Sequence, residues 1–147
     1  MSWRAGRNEK GTAVAGYSGT PLAQKLGIKA GSVVYLAGAP ARYAKTLEPL
    51  PPGVRFVRRP AASVDIAHVF TTERAVLQRT LSAFRATLKP TAVVWLSWPK
   101  QASGVRTEVT ENTVREVALP LGFVDVKVCA VDAVWSGLKL VVRKELR

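Results

Sequence analysis

The residues of this chain best suited to chemistry are cations. Against 10 Asp and Glu stand 22 Lys and Arg, a formal net charge of +12 over 147 residues. An excess of that size draws phosphate, nucleic acid or an acidic protein surface. The charges are scattered: the densest group is Arg55, Arg58 and Arg59, and a basic surface that serves only solubility fits the same pattern. Groups for acid–base or nucleophilic work are scarce. His68 is the single histidine, so no Ser-His-Asp or Cys-His set can be argued. It lies mid-strand among apolar residues and reads as a satisfied buried histidine. One Cys and one His do not make a zinc site, and no metal is expected. Cys129, in the run FVDVKVCAV, reads as a small core hydrophobe. Paired carboxylates and a phosphate loop of the G-x-x-x-x-G-K-[ST] type are absent. Asp132 is the best-placed acid, at a strand end, although an Asp in a hairpin turn is commonplace.

The elements that must position these residues follow from periodicity. A hydrophobic fraction of 48% and a charged fraction of 22% describe a globular chain of one domain's length. No apolar run approaches the about 20 residues of a membrane helix, and no signal-peptide core opens the chain, so a cytoplasmic protein is expected. Residues 1–16 read as a mobile basic arm, with Trp3 able to tack it onto the body or a partner, and 17–147 as a single domain. Thr20 is set to cap a short helix at 20–26, with Pro21 in its first turn and Gly27 at its exit. Strands are expected at 32–37, 54–58, 64–70, 91–97, 123–131 and 135–143. Short helix 41–47 follows the first strand. Thr71 or Thr72 caps a helix at 73–88, whose Leu77, Leu81, Phe84 and Leu88 form one apolar stripe. Thr110 caps a helix at 111–119 that Pro120 must end or distort. Alternating strands and helices imply a parallel sheet, and the last two strands, too close for a crossover, an antiparallel hairpin. Trp95 reads as core, and Trp98–Pro99 as a candidate cis bond.

Three phrases carry a resemblance: LGIKAGSVVYLAGAP at the first strand, LKPTAVVWLSWPK after the long helix, and LGFVDVKVCAVDAVWSGLKLVVRK at the end. They resemble the opening, the fourth-strand region and the closing hairpin of small class I, Rossmann-like S-adenosylmethionine-dependent methyltransferases. The resemblance implies a three-layer α/β fold, a mostly parallel sheet of about six strands ending in an antiparallel hairpin. YSGTPLAQKLGIK, SWPKQASGV and DAVWSGLKLVVRK further resemble a bacterial domain family of unknown function. The departures concern the cofactor. The methyltransferase loop is usually E/D-x-G-x-G, and here LAGAPAR keeps Gly38 alone. The second strand, expected to end in an acid that holds the ribose hydroxyls, ends in Arg58, Arg59 and Pro60. One helix–strand–helix unit between 58 and 64 is missing.

In open α/β sheets ligands bind beyond the carboxyl ends of the strands. The segments expected there bring together Gly38, Arg42, Arg58, Arg59, Arg74, Ser97, Trp98, Lys100, Ser103, Gly104, Asp132, Trp135 and Ser136. An arginine- and lysine-lined mouth with two tryptophan faces suits a nucleotide or an unstacked base; for Trp98 and Trp135, packing over the sheet end is the first reading and ligand stacking the second. The expected function is a non-catalytic methyltransferase-like domain that binds an anionic partner (RNA, a nucleotide or an acidic protein) and needs no cofactor. A small divergent methyltransferase using S-adenosylmethionine with Gly38 and Asp132, and a protein-interaction scaffold, are the alternatives.

Overall fold

The computed structural model describes residues 20–147; the basic arm expected at 1–16 lies outside them. Six strands form one sheet: β1 (Val33–Ala37), β2 (Arg55–Val57), β3 (Ile66–Phe70), β4 (Val93–Pro99), β5 (Phe123–Ala130) and β6 (Trp135–Val142). The spatial order is β2-β1-β3-β4-β6-β5. The first four strands run parallel, β6 runs antiparallel to β4, and β5 antiparallel to β6. The α/β reading of a mostly parallel sheet with a C-terminal antiparallel hairpin holds.

β3 is one of the two central strands, and all five of its residues are buried, as a strand covered on both faces must be. Its alternation divides the core. Ala67 and Val69 face one cluster, and Ile66 and Phe70 face the other. On the first face lie α3 (Arg74–Thr87) and α4 (Glu111–Ala118). Leu77, Leu81 and Phe84 of α3 and Val114 and Val117 of α4 pack there on Val94, Leu96, Leu138 and Leu140. Full burial of each such side chain stabilises the fold by roughly 1.5–3 kcal/mol. The second face is covered by two four-residue helices, α1 (Leu22–Lys25) and α2 (Tyr43–Thr46). Ala23, Leu26, Tyr43 and Leu47 close it over Val34, Ile66, Phe70 and Trp95. Trp95 is fully buried and its indole N–H donates to Leu26 O at 3.0 Å, so its reading as core is correct.

Local chemistry explains several boundaries. Thr110 caps α4 through a reciprocal capping box with Thr113. Pro120 changes the last turn after α4 into a 3-10 turn, Leu119–Leu121, before Gly122 exits at φ +103°. Thr20 does not cap α1: the N-cap is Pro21, with no side-chain bond. Neither Thr71 nor Thr72 is the N-cap of α3, which is Glu73; Thr71 instead accepts the Glu73 N–H at 3.1 Å, one step ahead of the helix. β4 runs to Pro99, two residues past expectation, because β6 pairs with it as far as Pro99↔Trp135. The cis peptide bond among the described residues is Glu48–Pro49, so Trp98–Pro99 is trans. Residues 58–65 contain no helix, in keeping with the missing unit. Among the described residues no helix is long and apolar enough to cross a membrane.

Candidate functional site

The carboxyl ends of β1 to β4 open at one edge of the sheet. The antiparallel pairing of β6 with β4 sets Trp135 opposite Pro99, so the hairpin turn at 131–134 joins the same edge. Gly38 makes the first turn there. Its φ is +70°, and a Cβ on it would stand 2.4 Å from the Phe70 carbonyl oxygen, so only glycine lets β1 exit this close to β3. The chain then turns through Pro40, whose carbonyl accepts the Tyr43 N–H at 3.0 Å. Arg42, exposed, takes the left-handed conformation at φ 68° as the N-cap of α2.

Arg58 and Arg59 follow β2 directly, at the edge of the sheet beside β1, and both are exposed. Neither they nor Arg42 pairs with a carboxylate among the described residues. Ion pairs form elsewhere, at Arg74–Glu116, Lys89–Asp65, Arg115–Glu111, Arg115–Asp125 and Arg143–Glu145. Lys100 anchors the next loop, its N–H donating to Val134 O at 2.7 Å. Ser103 closes that loop: its hydroxyl donates to Lys100 O at 2.6 Å and accepts the Val105 N–H at 3.1 Å. Gly104 then exits at φ +74°. Trp135 and Ser136 are half-buried at the start of β6.

Four of the residues expected at the mouth are committed elsewhere. Trp98 is 6% exposed and belongs to the core under α3 and α4, so it offers no free face. Ser97 is fully buried. One carboxylate oxygen of Asp132 accepts the N–H groups of Val134 and Trp135, both at 2.8 Å, which makes Asp132 the turn-former that its position allowed. Arg74 bonds Glu116 at 2.9 Å and thus clamps α3 to α4. Asp65 lies at the other end of the sheet. It accepts the Val33 N–H at 2.8 Å and the Lys89 ammonium at 2.5 Å, and these bonds hold its carboxyl below the usual range.

Beneath the mouth runs a polar thread that residue patterns alone do not disclose. The Tyr43 hydroxyl meets His68 Nδ1 at 2.8 Å, and His68 Nε2 meets the Ser97 hydroxyl at 2.7 Å. All three side chains are buried. Burial pushes His68 down to about 3, so the ring is neutral and both of its nitrogens are satisfied, as its reading as a structural histidine required. The Tyr43 phenol is pushed far above its ordinary value by burial, and the negative forms of Cys129 and Asp132 nearby add to this. Burial likewise raises the Cys129 thiol, which opposes a reactive thiolate. Phe70 stacks on His68 with centroids 4.2 Å apart and meets Trp135 edge-on at 5.2 Å, so the thread continues as an aromatic column towards the mouth.

Solved structures supply the comparison for this arrangement. A SAM-dependent methyltransferase from Aquifex aeolicus resembles the chain at a TM-score of 0.62 and 15% identity, over 82% of this chain and 87% of that one. The fold is methyltransferase-like. A putative type 11 methyltransferase from Sulfolobus solfataricus gives 0.60 at 17% identity, over 84% and 90% of the two chains. LepI in complex with SAM gives 0.53 at 10% identity, over 84% of this chain and 47% of that one. No protein-family model matches the chain, and no curated protein does.

The cofactor that such a fold implies meets a poor fit at one corner of this edge. A ribose diol bound through its two O–H groups needs an acceptor, and the end of β2 presents Arg58 and Arg59, whose guanidinium groups only donate. Pro40 also lacks the N–H that another residue would offer in the first loop.

Proposed function

We propose that this chain is a binding domain of methyltransferase-like fold that takes an anionic nucleotide or RNA segment at the carboxyl edge of its sheet. Arg42, Arg58 and Arg59 supply the charge, Lys100 extends it along the edge, and Trp135 offers a half-buried aromatic side chain at the β6 end of the same edge. The observation that carries this reading is the exposed Arg58–Arg59 pair, without a carboxylate partner among the described residues, beside the Gly38 turn. Charge-assisted bonds from Arg to phosphate are strong and bidentate, which makes such an unpaired group a natural phosphate contact. The turn at Gly38 and the left-handed conformation of Arg42 set the path of the first loop, which leaves the Arg42 side chain exposed at this edge. The direct test is the double substitution Arg58→Glu, Arg59→Glu. Loss of RNA and nucleotide binding at low salt, with an unchanged melting curve, is expected; unchanged affinity refutes the site.

A second reading, transfer of a methyl group from S-adenosylmethionine, is favoured by one specific observation, the likeness to solved methyltransferases over more than four-fifths of this chain. Calorimetric titration with S-adenosylmethionine and S-adenosylhomocysteine separates the two. Micromolar binding would favour the enzyme; no heat from folded protein, with heat from nucleotide, would favour the binding domain.

A further inference from the structure

We infer that the end of β2 selects ligands by a phosphate on the ribose, not by a free ribose diol. The inference rests on the proposed nucleotide-binding reading and specifies which part of the ligand meets Arg58 and Arg59. In sheets of this construction the position after the second strand faces the ribose of a nucleotide bound over the first loop. Where dinucleotides are bound, a carboxylate there takes the hydroxyls of a free diol, and an arginine there accommodates a phosphate esterified to the same sugar. The geometry of this chain meets the conditions for the second case. β2 is hydrogen-bonded alongside β1 in parallel, with Tyr35↔Val57 the last paired residues. Arg58 and Arg59 therefore leave the sheet next to the segment that leads from Tyr35 into the Gly38 turn.

The carboxylates of this edge do not reverse the sign. Asp132 sits in the turn before β6, three strands beyond β1 in the sheet, where one of its carboxylate oxygens holds the hairpin, and Glu108 accepts the Arg74 backbone N–H at 2.9 Å just after β3. Glu73 follows β3, two strands away from β2 in the sheet. Within the first loop, residues 38–42, the charged residue is a third cation, Arg42. Two guanidinium groups on adjacent residues, both exposed and lacking acceptor atoms, would leave a diol's O–H groups without partners, whereas the non-bridging oxygens of a phosphate ester accept several N–H bonds. A ribose phosphate occurs both in a free nucleotide phosphorylated at the 2′ or 3′ position and at every internal residue of an RNA strand. The shared chemistry is what the site reads.

The test is a titration series at one low salt concentration with adenosine 2′-phosphate, adenosine 3′-phosphate, adenosine 5′-phosphate and a hexanucleotide RNA. The monophosphates carry the same charge and differ in where it sits. Tighter binding of the 2′ or 3′ ester than of the 5′ ester, by about tenfold, is expected. The variant Arg58→Ala, Arg59→Ala should erase that preference and retain residual 5′-ester binding. Tight binding of the hexanucleotide with weak 3′-ester binding assigns the ribose phosphate to an RNA strand; the reverse assigns it to a free nucleotide. Equal affinity for the three esters overturns the inference and leaves the nucleotide-binding reading standing. Failure of all four ligands to bind folded protein overturns both.

Discussion

Gly38 and His68 show how single residues fix this edge. At Gly38 a methyl group would meet a backbone carbonyl, which cannot move without displacing β3, and the positive φ adds strain to any other residue. Gly38→Ala should therefore lose at least about 2 kcal/mol of stability in urea melts, more than the common run of single substitutions. Loss below about 0.5 kcal/mol would mean that the first loop relaxes freely. His68 makes a different prediction. In the unfolded chain it takes a proton near pH 6.5, whereas in the fold it does so only near 3. Between these values the unfolded state binds the extra proton, so stability falls as pH falls, by up to about 1.4 kcal/mol per unit. Asp65 and Asp125 act in the same direction, but only once pH approaches their ordinary value of 3.8. Urea melts between pH 6.5 and 4.5 thus isolate the single histidine; a flat profile there would show that the buried ring accepts a proton. The reading of His68 as structural was open to sequence reasoning, because an imidazole amid apolar neighbours must be neutral and bonded. Its partners were not: Tyr43 and Ser97 reach it from a short helix and a neighbouring strand, at separations of 25 and 29 residues.

At the scale of elements, strand and helix positions followed from composition, and their ends followed from side-chain chemistry that competes at each terminus. α4 is the best-specified helix. Thr110→Ala removes the capping bonds to Thr113 and should cost about 1 kcal/mol, with Thr110→Ser recovering most of it in the same thermal melts. The end of α4 was equally legible, since Pro120 cannot continue an α-helix. The caps of α1 and α3 were not, because Thr20 and Thr71 are the right residue type one or two positions away from the true N-cap. The extension of β4 to Pro99 illustrates the limit. No local property distinguishes Trp98 from a loop tryptophan; pairing with Ser136 on β6 keeps it in the sheet, and alternation along β4 then turns it into the core beneath α3 and α4.

For the whole molecule, the excess of positive charge turns into a prediction about salt. If Arg42, Arg58, Arg59 and Lys100 each neutralise one phosphate of single-stranded RNA, log K should fall with log salt at a slope of about −2.8. Arg58→Ala, Arg59→Ala should bring that slope to about −1.4, since two contacts remain. An unchanged slope in the variant would place the phosphate contacts on another surface. The comparison is sensitive because the remaining cations stay in place, and a diffuse basic surface would lose only a small share of its charge.

The division between sequence and tertiary structure follows from the range of the forces involved. The α/β architecture, the closing hairpin, the basic character, the single histidine and the two arginines in place of an acid after the second strand were legible in the residues alone. Each of these rests on residue type or on periodicity over a few neighbours. Which of the strand-end residues share a surface emerged from long-range packing. It left Arg42, Arg58 and Arg59 exposed at the edge, drew Ser97 and Trp98 inside, and spent Asp132 on its own turn. Those outcomes depend on which face of each strand meets a helix and on hydrogen bonds between residues far apart in the chain, and no local pattern encodes either.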